Sequence, residues 1–334
     1  MRTLHRLAVG PPAPRQPVRA SGRAGARAGA CGVRETADRG GEGAAVAARS
    51  RRVLRHAAYP VLLSAFVSTT YCALSRQWDT GRTTQLFLLG SIGYLALLER
   101  LIPYETTWRP SRAEWGWYGA YFVLTMLGGS LAQLPVQAVV RWLAPLHPAL
   151  PLGVEIPAAV LLGSLANYLV HRWCHTDRRL WRLHGVHHVP DKVSVGNNGV
   201  NHIADVVLTQ AVVQLALALA GFSVESVFVV GLFVIAQGYF VHANIDVRIG
   251  VLNHVLASPE QHRLHHSTDL AEAGHYGSDL SVWDHAFGSF TWYPGRRPAE
   301  VGLARPSDFP RTDALFASHL QAWYRPARTG GRRA

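Results

Sequence analysis

A chain of 334 residues holds one large domain or two small ones. Its 49% apolar and 16% charged residues, with a slightly positive mean hydropathy, exclude the composition of an ordinary water-soluble globule and point to a membrane. The net charge of +12 does not mark a nucleic-acid binder: twelve arginines against Glu35, Asp38 and Glu42 place +9 of it in residues 1–55, and the remainder is nearly neutral.

Residues 1–55 are rich in Arg, Ala and Gly and have no apolar periodicity, which predicts a disordered tail. They hold no apolar core of a signal peptide; their composition resembles a transit peptide, and a start placed too far upstream accounts for it equally well. Six nearly uncharged runs follow, at 57–74, 84–98, 117–140, 156–170, 206–222 and 226–241, several at the short edge of what a spanning helix needs. These runs predict an all-α polytopic membrane bundle of four to six spans. Tyr71, Tyr94, Trp117, Tyr118, Tyr121 and Tyr239 sit mostly near run ends, where an interfacial aromatic belt is expected. Arg51, Arg52, Arg55, Arg100, Arg109, Arg112, Arg172, Arg178, Arg179 and Arg182 fall at one face, against Arg76, Arg82 and Arg141 at the other. By the positive-inside rule the first face is cytoplasmic, and it carries a histidine-rich helical cap.

That cap holds 13 of the 17 histidines, between residues 171 and 285, most of them in three boxes. His171 and His175 form an i, i+4 pair; His184, His187 and His188, and again His262, His265 and His266, form i, i+3, i+4 triplets. On a helix each box presents its imidazoles from one face. Eight such donors exceed the four that one zinc takes, so the count favours two metals. Cys174, inside the first box, is expected to pack rather than ligate; with Cys31 and Cys72 it is also too scattered for a disulfide framework. His5, His56, His147 and His319 lie outside the cluster.

The boxes, their order, the apolar hairpin they straddle and the flanking strings Leu98-Glu99-Arg100-Leu101-Ile102-Pro103, Phe240-Val241-His242-Ala243-Asn244 and Trp283-Asp284-His285 resemble the fatty acid hydroxylase/sterol desaturase superfamily over about residues 85–295. The resemblance implies two iron ions, O2 as co-substrate, and metal ligation by His171, His175, His184, His187, His188, His262, His265 and His266. His242 matches an isolated histidine that such proteins add between the second and third boxes.

His202 matches a family position near the site, as ligand or supporting residue, with packing at a helix N-terminus as the other reading. Asn244 is read as holding a metal-bound water or capping a helix. Asp284 and Asp246 are candidates to accept the second N–H of a ligand histidine, a role that fixes its tautomer, or else to be solvated caps. His275, His254 and His285 depart from the family pattern.

Together these features predict an O2-dependent di-iron lipid hydroxylase or desaturase, with alternatives in a zinc-dependent membrane hydrolase and a non-enzymatic metal-binding protein. Its domains would be the tail (1–55), N-terminal membrane helices (56–150), a histidine-box catalytic domain with a membrane hairpin (151–295) and a C-terminal extension (296–334). The lipid is unreadable: sterol, fatty acyl chain, alkylglycerol ether and carotenoid all fit. The sequence holds no heme-binding HPGG string, Gly-rich dinucleotide fingerprint or iron–sulfur cysteine set. Electrons are therefore expected from a separate cytochrome b5-like or ferredoxin/reductase partner.

Overall fold

The computed structural model describes residues 34–322, where regular structure is helical apart from isolated β-bridges. The α-helices are α1 (Arg34–Ser75), α2 (Thr80–Leu101), α3 (Arg112–Leu143), α4 (Leu152–Thr176), α5 (Arg178–His184), α6 (Ile203–Leu219), α7 (Val224–His242), α8 (Pro259–His265), α9 (Val282–Phe287) and α10 (Leu315–Leu320). Of the expected disordered tail (1–55), residues 1–33 lie outside the described residues, and from Arg34 the chain is helical. The chain divides into two compact units, Met1–Ala47 and Ala48–Ala334; every element of the site belongs to the second.

Among the described residues, three helices are long and apolar enough to cross a membrane: Ala48–Ser75 of α1, then α4 and α7. A fourth arises if the arms Arg112–Leu131 and Gln133–Leu143 of α3, bent by 41°, form one span. Pro135 lies at that bend, where its ring removes one backbone hydrogen bond from the helix. The count meets the sequence expectation only at its lower end, because α6, with 17 residues, is shorter than the roughly 20 residues of a spanning helix and α2 is not among the qualifying helices. Val67, Leu86, Leu89, Leu127, Leu131 and Leu134 point outward, an apolar surface that suits an integral membrane protein. Tyr71 and Trp117 are exposed as a belt requires, whereas Tyr118 and Tyr121 are buried in a small core with Val186, Val200 and Leu315.

Helix starts are set by side-chain caps: Asp79 on α2, Asp177 on α5, Ser223 on α7, and reciprocal capping boxes of Ser111 with Glu114 on α3 and Ser258 with Gln261 on α8. The last of these orients the short helix that carries the third histidine box. Two larger cores hold the bundle. One joins α1, α2 and α7 through Tyr59, Leu62, Phe87, Leu95, Leu232 and Phe240. The other joins α3, α4, α6 and α7 through Val140, Ala159, Val213, Leu217 and Val230. Between α3 and α6, Gln133 Nε2 donates to Gln210 Oε1 (2.7 Å) and Gln137 Nε2 to Gln214 Oε1 (2.6 Å), so the facing amides satisfy one another across the helix pair.

Helix α4 approaches α7 at Gly163, where a Cβ would lie 2.6 Å from Val230 Cγ1. Gly163→Ala is expected to destabilise the protein. The overpacking cost of about 1–3 kcal/mol exceeds the roughly 0.5–1 kcal/mol that alanine gains in a helix. Gly93→Ala in α2, where nothing lies within 4 Å, should be stabilising by that smaller amount. Thermal unfolding in one detergent checks both, and a Gly163→Ala protein as stable as its parent would refute the close approach.

Candidate metal centre

The boxes reach one place because α4 ends where α5 turns back, while α7 ends beside α8. His171 and His175 occupy the last turns of α4, His184 ends α5, His187 and His188 follow it in a turn, His242 ends α7, and His262, His265 and His266 sit on α8 and its cap. The nine imidazoles separate into two groups whose donor atoms lie within 4.8 Å of one another: His171, His175, His184, His188 and His265 in the first, His187, His242, His262 and His266 in the second.

The two triplets trade members. The second box gives its i, i+4 pair, His184 and His188, to the first group and its middle residue His187 to the second. The third box does the reverse, with His262 and His266 in the second group and His265 in the first. In the third box, on α8 and its cap, residues four apart lie about 40° from each other and adjacent residues about 100° apart, so a pair-plus-one box feeds two sites; the second box does the same across the end of α5 and the turn after it. The rings diverge accordingly, at 89° between His187 and His188 and 88° between His265 and His266.

Hydrogen bonds decide what these rings can do. His171 Nδ1 lies 2.6 Å from the Tyr276 carbonyl, His184 Nδ1 2.9 Å from Asp205 Oδ2, and His242 Nδ1 2.9 Å from the Ser194 carbonyl. Each partner accepts, so each Nδ1 carries the proton and each Nε2 a lone pair. Yet His171 Nε2 and His184 Nε2 face each other at 3.1 Å. Two lone pairs at that distance repel, and a cation between them removes the repulsion. The same need shows at His175 Nε2, His242 Nε2 and both nitrogens of His265, which are buried without a hydrogen-bond partner. An unpaired buried polar group costs about 1–3 kcal/mol, so the set is unfavourable as a mere core and fits a metal pair.

Burial first, and the neighbouring imidazoles second, hold His188, His265 and His266 well below the ordinary histidine range; His187 and His262 shift the same way for the same reasons. These rings are neutral at pH 7, the form that ligates metal. Trp181 packs 5.2 Å from His175 and 5.5 Å from His188, and Tyr276 5.3 Å from His175, walling the first group. The C-terminal segment covers this wall: Phe309 lies against Trp181 and Gly185, and Gly302 N donates to the His266 carbonyl (2.8 Å).

Other candidates land elsewhere. His202 is not in either group: its Nδ1 accepts from Ala204 N (3.0 Å) and its Nε2 donates to the His319 carbonyl (3.0 Å), which is the helix N-terminal role. Asn244 turns its side chain to the backbone of Glu105, accepting from Glu105 N (3.0 Å) and donating to Glu105 O (2.8 Å). Asp246 pairs with Arg55 instead of a ligand histidine. Asp284 faces His275 at 3.4 Å and binds the backbone of Tyr276 and Gly277, so it reaches a box histidine only through a peptide. His275 is outside both groups, as are His254 and His285, which face each other at 3.2 Å on the surface.

Sequence reasoning missed Asp205, the carboxylate that does hold a box histidine. It also accepts the Cys174 thiol (3.6 Å), which is why that cysteine is turned from the metal positions. Its one signal was an acid in the first turn of the otherwise apolar α6.

The family described as "Fatty acid hydroxylase" matches residues 156–289, the stretch that contains all three boxes. The ornithine lipid hydroxylase OlsE of Rhizobium tropici is 28% identical over 258 residues, which is 73% of this chain and 78% of that protein. Alkylglycerol monooxygenases are 28% identical over 141 residues (Homo sapiens) and 160 residues (Danio rerio); the chain spans only 30% and 32% of their lengths. No solved structure matches the chain.

Proposed function

We propose that the chain is a member of the fatty acid hydroxylase/sterol desaturase superfamily of membrane oxidoreductases and that it hydroxylates a membrane lipid with O2 at two iron ions. The observation that carries this reading is the division of nine imidazoles into two buried groups with lone pairs turned inward. His171, His175, His184, His188 and His265 would hold one ion, and His187, His242, His262 and His266 the other. When bound, such a pair supplies O2 activation and oxidation of an unactivated C–H bond, chemistry no side chain here performs.

The protein's own part is to prepare the site. Oxygen acceptors on Nδ1 of His171, His184 and His242 aim each Nε2 inward, so little reorganisation accompanies loading. Trp181, Tyr276 and the segment through Phe309 keep bulk water from the first group. A shallow, open apolar surface along α6, lined by His202, Ile203, Ala204, Val207, Leu208, Ala211 and His319, is where an acyl chain would lie. Hydroxylation is favoured over desaturation because the relative that covers most of the chain is a lipid hydroxylase. Arg172, Arg178, Arg179 and Arg182 beside the boxes favour a cytoplasmic metal site, where a soluble cytochrome b5-like or ferredoxin-type donor would deliver two electrons.

The test follows what the reaction consumes. Anaerobically purified protein should contain about two Fe per chain, one for each histidine group. Membranes supplied with reductant, a reductase system and labelled O2 should yield a lipid alcohol carrying the label. Product formed under argon without reductant, with oxygen from water, would overturn the reading in favour of a zinc hydrolase.

A further inference from the structure

Two buried peptide groups lie between a carboxylate and a box histidine, one in each group. Glu99 Oε1, at the end of α2, accepts from Val195 N at 2.7 Å, and the carbonyl of that same peptide unit, Ser194 O, accepts from His242 Nδ1 at 2.9 Å. Asp284 Oδ2 accepts from Gly277 N at 2.8 Å, and the carbonyl of that peptide unit, Tyr276 O, accepts from His171 Nδ1 at 2.6 Å. Different helices and loops thus build the same four-part chain twice. Asp205 reaches His184 directly, with no peptide between.

We infer that Glu99 and Asp284 are positioning residues that act through a peptide group, each polarising one amide so that its carbonyl draws the Nδ1 proton of His242 or His171 and makes Nε2 a stronger metal donor. Hydrogen bonds in series strengthen one another in a low-dielectric interior, and an anion at the N–H end adds negative charge at the carbonyl end. Outer carboxylates raise the donor strength of ligand histidines in this way when they touch the ring; here the amide carries the effect. The surroundings are built for it. A Cβ at Gly277 would lie 2.5 Å from Asp284 Oδ2 and 2.6 Å from the Leu280 carbonyl, so glycine is what lets the carboxylate sit on that N–H. Asp284 also accepts from Tyr276 N (2.8 Å) and Ser289 Oγ (2.7 Å), and Glu99 from Asn244 N (2.8 Å), two residues past His242. Both acids lie far in sequence from the histidine they serve.

The inference rests on the two-metal reading, and the experiment separates the two. Co2+ affinity of the full-length detergent-solubilised protein is measured by chelator competition, with the cobalt visible spectrum as the site signature. The substitution Glu99→Gln keeps a carbonyl oxygen for the Val195 and Asn244 N–H groups and removes the charge. It should weaken one cobalt site by about 10-fold, the lower end for outer-shell partners, and shift that site's bands. In a His242→Ala background it should change nothing further, because the ring it acts on is gone. Asp284→Asn, with His171→Ala as its background, is the matching arm for the other group and stands if the Glu99 variant fails to fold. A loss of equal size with and without the ring, or no loss in either arm, overturns the relay while leaving the two-metal reading intact. A parent protein that binds no cobalt overturns both.

Discussion

Turnover is expected to fall by at least about 100-fold when His262 or His265 is replaced by alanine, since even partners outside the ligand shell cost 10–100-fold. The two variants should nevertheless keep different metal. His262→Ala leaves His187, His242 and His266, three donors in a group that began with four, whereas His265→Ala leaves His171, His175, His184 and His188. Four imidazoles satisfy a full tetrahedral set, while three leave an ion dependent on solvent. Iron content should therefore drop from about two per chain toward about one in His262→Ala and remain nearer two in His265→Ala, with activity lost in both. Elemental analysis and product assay on the same preparations decide the matter. A His262→Ala protein with two irons and full turnover would refute the grouping.

Loss of the carboxylate at Asp205 should rank next. Its Oδ2 holds His184 Nδ1–H at 2.9 Å, and it is buried. Asp205→Ala removes the acceptor, frees His184 to turn or change tautomer, and is expected to weaken metal binding by about 10–100-fold. Asp246→Ala provides the control: that carboxylate pairs with a partly exposed Arg55, an interaction worth at most about 1 kcal/mol, and metal affinity should not change. Competition titration of both variants checks the contrast; equal losses would mean Asp205 supports the fold rather than the ring.

Histidine density and box spacing made a cluster able to bind metal legible, because donor type resides in side chains. Tautomer control was not, since His171, His187 and His242 hydrogen-bond to carbonyls of Tyr276, Val200 and Ser194, which any residue at those positions would supply. Asp284 and Asp246 both stood near boxes and were equally plausible supports; their real partners depend on which loop folds over them. Glu99 was visible only as part of a string, because its contacts reach across the chain to Val195 and Asn244. Span number was legible only as a range, as a short uncharged run looks alike whether lipid or protein surrounds it. Helix α6 packs against both α3 and α4 and carries the buried Asp205.

The traded triplets also set an order of events during synthesis. A ribosome delivers the chain from its N-terminus, and early segments fold before later ones exist. When α7 has emerged and α8 has not, the first group already owns four of its five imidazoles, while the second has only His187 and His242. If both groups hold ions, the first would have a near-complete donor set before Pro259–His265 emerges, and the second would not. Helix α8 with its cap is thus the last histidine-bearing element of the two groups to leave the ribosome, and it supplies the remaining imidazoles of both at once.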